Sequence, residues 1–118
     1  MKVLIAVLIG FGASAHADSY DSAREAAYSD ALVIASIKGE SSPCGIIGTQ
    51  VANIMVRRLN GAAMSDQMNE PNLVFIRFVI RDAYQQPFYQ SLDMKKQLVR
   101  DFRERYELEC YNTLSSGG

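Results

Sequence analysis

Cys44 and Cys110 are the two cysteines of this 118-residue chain, and 66 positions separate them. Joined to each other, they tie the middle of the chain to its end. Closing a loop of that size contributes about 4 kcal/mol in the chain-entropy account. Whether they join depends on the compartment. The chain opens with Met1-Lys2, an apolar run over residues 3–11, and the small-x-small triplet Ala15-His16-Ala17. A cation, an apolar stretch and small residues, in that order, form the pattern of a secretory signal peptide. It predicts a signal peptide over residues 1–17, a helical domain over residues 18–118, and a periplasmic or secreted location after cleavage near Ala17. Thiols outside the cytoplasm persist as disulfides. An internal Cys44–Cys110 bond is therefore expected, with two free thiols or an intermolecular bond as the rival readings. The absence of a Cys-x-x-Cys pair gives no support to thiol exchange as an activity.

The leader carries off Lys2 and His16. The remaining 101 residues hold 11 Lys and Arg against 13 Asp and Glu, a net charge of −2, with neither histidine nor tryptophan. Histidine-based triads and histidine zinc sites are thereby excluded, and two cysteines cannot complete a zinc-finger ligand set. The charge disfavours nucleic acid as a partner. Arg57-Arg58 and Lys95-Lys96 are short basic points interrupted by acids, not a phosphate track. No metal and no cofactor is expected. After the leader, the most apolar run covers residues 73–80 and contains Arg77. A spanning helix needs about 20 residues, so no transmembrane span is expected.

Helical spacing dominates what remains. In residues 19–38, Tyr20, Ala23, Ala27, Ala31, Ile34 and Ile37 recur at threes and fours, and Lys38-Gly39 supplies a stop. Ser42-Pro43 supplies a start, with serine as cap and proline in the first turn. Cys44, Ile47, Val51, Ile54, Met55 and Leu59 then form a stripe ending near Gly61, and Gly48 lies where another helix can approach. Ser65 is expected to open a short element or tight turn running to Met68, with Met64 and Met68 plugging the end of the core and a methionine-lined binding patch as the alternative. Residues 73–85 are rich in β-branched and aromatic side chains, as a strand would be. No second strand offers a partner, and Leu73, Ile76, Ile80, Ala83 and Tyr84 also fit a helical stripe. Helix is the prediction, ended by Pro87, with Phe88 and Tyr89 sealing the bundle from a connector. A last helix starts at Ser91. Its inward series is Leu92, Lys95 by its stem, Leu98, Val99, Phe102, Tyr106 and Cys110. Arg100–Glu104, Asp101–Arg105, Arg103–Glu107 and Arg105–Glu109 are spaced to pair along its surface. Residues 113–118 read as a frayed, flexible tail. A disulfide from the start of one helix to the end of another sets those two antiparallel, giving an all-α, four-helix bundle-like domain.

Several of these residues carry a resemblance. Cys44-Gly45-Ile46-Ile47-Gly48, then Met55, Arg57, Gly61 and Met64-Ser65, then Ala83-Tyr84, Pro87, Phe102 and Cys110-Tyr111, resemble uncharacterised small exported bacterial and phage-borne proteins. That resemblance covers about residues 44–111 and implies a signal peptide, a helical body and a paired cysteine. A fainter likeness runs to periplasmic immunity proteins that protect against secreted peptidoglycan amidases. It implies a role and assigns no binding residue.

Catalysis finds little footing. Asp101, Glu104, Glu107 and Glu109 each have an arginine at helical spacing, which marks a solvated, salt-paired face rather than an acid–base pair. Ser41, Ser42 and Ser65 sit where caps and turns need hydroxyls. The reading is of a non-enzymatic protein-binding module. Its positive feature is a surplus of rings, Phe75, Phe78, Tyr84, Phe88 and Tyr89, beyond what one stripe needs. Two readings of these rings stand side by side: some form a partner surface or a homodimer seam, with Arg77, Arg81, Tyr84 and Tyr89 as the candidate contacts, or all five complete a small core. The expected role is an inhibitor or immunity-type protein that occludes a toxin or cell-wall hydrolase. The alternative is an envelope assembly factor, pilotin-like adaptor or periplasmic chaperone.

Overall fold

The computed structural model describes the backbone of residues 2–39 and 42–117 and the side chains of residues 20–39 and 42–115. Among the described residues there are five helices and no strand: α1 (Lys2–Lys38), α2 (Pro43–Leu59), α3 (Met64–Met68), α4 (Val74–Gln85) and α5 (Leu92–Gly117). The all-α architecture and its four principal helices are as expected, with α3 a single-turn connector. The backbone of α1 runs unbroken past the expected leader junction and so begins well before residue 19. Ala15-His16-Ala17 lies outside the residues whose side chains are described.

Local chemistry sets the ends of α2. Ser42 is extended, and its Oγ accepts the Cys44 amide at 3.1 Å; Pro43 follows in the first turn. At the far end the amides of Gly61 and Ala62 donate to the Arg58 and Arg57 carbonyls at 3.0 and 2.9 Å. This doubly bonded stop needs a left-handed residue, which Gly61 supplies at φ 99°. Between these caps every residue of the expected stripe is buried: Cys44, Ile47, Val51, Ile54, Met55 and Leu59. The helix packs against α1, α4 and α5 and is the hub of the fold.

Cys44 and Cys110 are joined, with Cα atoms 5.6 Å apart and both side chains fully buried. The helices they belong to run antiparallel. The register continues from Cys44–Cys110 to Gly48, where an added Cβ would sit 2.3 Å from Glu107 Oε2. Farther along, Val56 and Leu59 face Val99 and Leu92. Gly48 thus marks the close approach its position suggested. Phe75 at the centre of α4 gathers the rings, within 6.1–6.3 Å of Tyr20, Tyr28 and Tyr106.

On three helices the buried face departs in part from the expected stripe. On α1 the buried residues are Ala27, Tyr28, Ala31 and Ala35, while Ile37 is 79% exposed. Steps of three from Ala31 through Ile34 to Ile37 drift about 120° around a helix with 3.6 residues per turn, whereas a step of four to Ala35 stays on the face. Small alanines let α1 lie close to α2, while Ile34 is only partly covered and Ile37 turns outward. On α4, Phe75 and Val79 join Ile76, Ile80 and Ala83 inside, while Leu73 is the extended residue before the helix and is exposed. On α5, Leu92 is 64% exposed, and inward packing becomes complete only from Phe102 onward. The last helix extends through the segment expected as a tail, as far as Gly117. The short element begins at Met64 and is capped by Ala63 without a side-chain bond, one residue before Ser65. Met64 and Met68 pack against the core as expected.

Candidate functional site

Two surface features bring chemistry-bearing residues together. The first joins α1, α4 and α5 around a cavity of about 280 Å³ lined by Tyr20, Phe78, Asp82, Arg105, Tyr106 and Glu109. Tyr106 donates to Asp82 Oδ2 at 2.6 Å, Arg105 pairs with the same oxygen at 2.9 Å, and Gln86 donates to Oδ1 at 3.0 Å. Tyr20 donates to Glu109 Oε1 at 2.8 Å, with Arg24 at 3.6 Å from the other oxygen. Burial, and then the bond to a carboxylate, push the Tyr20 and Tyr106 hydroxyls well above the ordinary phenol range. Burial and then the Glu109 charge raise Tyr28 to about 12. Phenols held this way remain donors, and both carboxylates are engaged by them and by arginines. The arrangement works as a clamp between helices.

That clamp reorganises the expected surface pairs. Of the four, Arg103–Glu107 forms, at 3.1 Å. Arg105 turns to Asp82 on α4, and Glu109 turns to Tyr20 and Arg24 on α1. A pair along one helix contributes only tenths of a kcal/mol. A half-buried, charge-assisted bond to another helix outweighs it. Asp101 and Glu104 are exposed and form no ion pair among the described residues.

The four candidate contact residues do not converge. Arg77 and Arg81 are one turn apart on the outer side of α4; both are exposed, and Arg77 donates to the Met68 carbonyl at 3.2 Å. Tyr84 turns toward α3, donating to the Ala62 carbonyl and accepting from Gln67 Nε2 at 2.8 Å. Gln67 also donates to the Ile54 carbonyl and is 2% exposed, the one buried polar side chain among the described residues. Nothing in its sequence context distinguishes it from a surface residue of a short helix. Tyr89 is half-buried beyond the helix end. Phe88 stays half-exposed, stacked beneath Arg58 at 5.4 Å and Lys95 at 5.7 Å. Arg58 also stacks on Tyr84 and donates to the Gln86 carbonyl at 2.9 Å, so it braces the turn at Pro87.

The second feature is a groove of about 350 Å³ between the C-terminal half of α2 and the N-terminal half of α5. Val56, Leu59, Leu92 and Val99 form its floor; Lys95, Lys96, Arg100 and Arg103 form its rim, with no carboxylate among its lining residues. Lys96, Arg100 and Arg103 fall within about 60° of one another around α5 and so form one stripe. Arg103 is engaged by Glu107, whereas Lys96 and Arg100 reach no carboxylate among the described residues. The sequence carried a signal for this groove in Lys95-Lys96 with Arg100 and Arg103. It passed unread because acids are interleaved: around the helix Asp93 and Glu104 lie about 20° and 40° beyond Arg100, on the side away from the groove, and Asp101 lies farther still.

Among the described residues no group of three His, Cys, Asp or Glu side chains is placed to hold a metal ion. Among them, too, no helix is long and apolar enough to cross a membrane. No protein-family model, no curated protein and no solved structure matches the chain.

Proposed function

We propose that this chain is an exported protein-binding module, of inhibitor or immunity type, that acts by steric occlusion of a toxin or cell-wall hydrolase. The observation that carries the reading is the groove between α2 and α5, an apolar floor with a one-signed rim on a body held by a buried disulfide. Apolar floors ringed by charge are how proteins hold protein partners, and a stapled body loses little freedom on binding. The leader pattern and the disulfide support export. The likeness to periplasmic amidase-immunity proteins supports the choice of target class. The test is peptidoglycan lysis by a periplasmic extract, titrated with the oxidised protein. Lysis is expected to fall stoichiometrically with added protein; full lysis at a large molar excess would defeat the proposal.

A second reading, an envelope assembly factor, pilotin-like adaptor or periplasmic chaperone, is favoured by one observation. Leu73 and Val74 are exposed beside Ala23 and Ala26 in another apolar hollow, of about 400 Å³. Suppression of aggregation of unfolded clients, lost in Val74→Glu, would favour it.

A further inference from the structure

We propose that the groove between α2 and α5 takes an acidic amphipathic helix of the partner protein, apolar side down and carboxylates toward Lys96 and Arg100. The inference rests on the binding-module reading and assigns the chemistry of its partner.

The chain itself argues for an anionic occupant. Its mature part is net negative, yet four cations line this one groove and no acid does. Arg24 and Arg105 are neutralised from neighbouring helices, by Glu109 and Asp82, whereas Arg77 and Arg81 on α4 reach no carboxylate among the described residues but stand apart from the groove lining. Lys96 and Arg100 reach no such carboxylate among the described residues. The floor argues for an occupant that is also apolar. Val56 and Leu92 are 39% and 64% exposed and line the same trough. A nucleic acid would satisfy the rim and leave that floor wet.

Shape selects a helix. The trough lies between two antiparallel helices, the seat that a third helix fills by setting its side-chain ridges into their groove. Lys96, Arg100 and Arg103 are spaced four and three apart, about 6 and 4.5 Å along the axis. Carboxylates at four- and three-residue spacing on a second helix match that rise. The seat is open on this side: Leu92, Lys96 and Val99 line the trough with Val56 and Leu59 of α2, while α4 reaches α5 farther along, at Arg105 and Tyr106.

The experiment uses the full oxidised chain and a labelled synthetic helix of about four turns, with leucines on one face and glutamates flanking them. Fluorescence anisotropy measures binding. Two control peptides replace glutamate by lysine or leucine by serine. The expected result is saturable binding of the first peptide, at least about tenfold weaker binding of both controls, and weakening toward about 0.2 M salt. Lys96→Glu with Arg100→Glu is expected to lower affinity about tenfold or more while leaving the far-UV spectrum unchanged. Both changes are at exposed positions, so folding is preserved; Leu92→Ser provides an independent apolar lesion with the same expected direction.

Equal binding by the charge-reversed variant overturns the proposal, as does equal binding of the serine peptide. Preference for anionic vesicles, laurate or oligo-dT over the peptide overturns it in favour of a lipid or nucleic acid. A dimer broken by the charge reversal overturns it in favour of a second copy. Failure of the peptide while the wild-type protein still blocks lysis removes this partner chemistry and leaves the binding-module reading intact. Peptide binding with no effect on lysis does the reverse.

Discussion

In the second half of α5, Phe102, Tyr106 and Cys110 recur every four residues and are buried, each held by a different partner: Phe102 beneath Arg105, Tyr106 on Asp82, Cys110 on Cys44. In the first half Leu92 and Val99 belong to a similar apolar series, yet Leu92 is largely in solvent and Val99 only half-covered. The helix is continuous, so propensity does not explain the difference. Neighbours do. The second half meets α1, α2 and α4, and the first half has chiefly the end of α2. Periodicity states which side of a helix is apolar; the number of elements around it decides how much of that side is covered.

The largest test of this contrast is the bond that anchors the second half. Replacing Cys44 and Cys110 together by alanine is expected to lower stability by about 4 kcal/mol, read as a shift of the urea midpoint against the oxidised protein. A shift below about 1 kcal/mol would mean that packing alone holds the second half in place.

Next come matched truncations in the two halves. Phe102→Ala is expected to cost about 3 kcal/mol because it empties a fully enclosed site. Leu92→Ala is expected to stay within about 0.5 kcal/mol while weakening occupancy of the groove. Similar losses for both, by thermal and chemical unfolding, would abolish the distinction between the halves.

The contact at Gly48 sharpens the comparison at the boundary. Gly48→Ala pushes its new methyl into the Glu107 side chain and disturbs Glu107's pair with Arg103, so a loss of about 1 kcal/mol is expected. In a Glu107→Ala background the same change is expected to reverse sign, since alanine favours helix over glycine by about 1 kcal/mol. A double-mutant cycle by urea unfolding checks it; an additive result would show that α2 and α5 are not in close contact there.

The smallest effect is alkaline. Tyr106 belongs to the second half and Tyr20 and Tyr28 pack around it from α1, and burial raises all three above the free phenol value of 10.0. In that window the unfolded chain loses protons that the folded chain keeps. Stability is therefore fully present below pH 10 and falls as pH rises toward 12 and beyond. Tyrosinate absorbance and helicity are expected to change together, and Tyr28→Phe to reduce the decline. Ionisation well before any loss of helix would show that the second half is not closed.

Much of the helical framework was legible because it is local. Ser42-Pro43 and Gly61 bound α2 through their own backbone chemistry, and the α2 stripe is correct because a hub helix is covered on nearly every side. The stripe of α1 was misread where a step of three and a step of four both offered apolar residues, and only the neighbouring helix selects alanine over isoleucine. The groove went unread because its two walls are separated by more than thirty positions, Val56 from Leu92, and neither wall is unusual alone. The candidate contacts on α4 were chosen for residue type; the structure spends Tyr84 on Gln67 and Ala62 and keeps Arg77 and Arg81 on an outer surface.

By itself the sequence determined which segments are helices, where α2 starts and stops, and which two cysteines meet. These depend on spacing of a few residues, or on there being one pair to form. Tertiary structure decided the direction each helix faces, the carboxylate each arginine reaches, the burial of Gln67, and the basic groove beside Leu92. Those outcomes compare a side chain's bond to its own helix with one offered by a distant helix. When the distant bond is better buried and charge-assisted, it prevails.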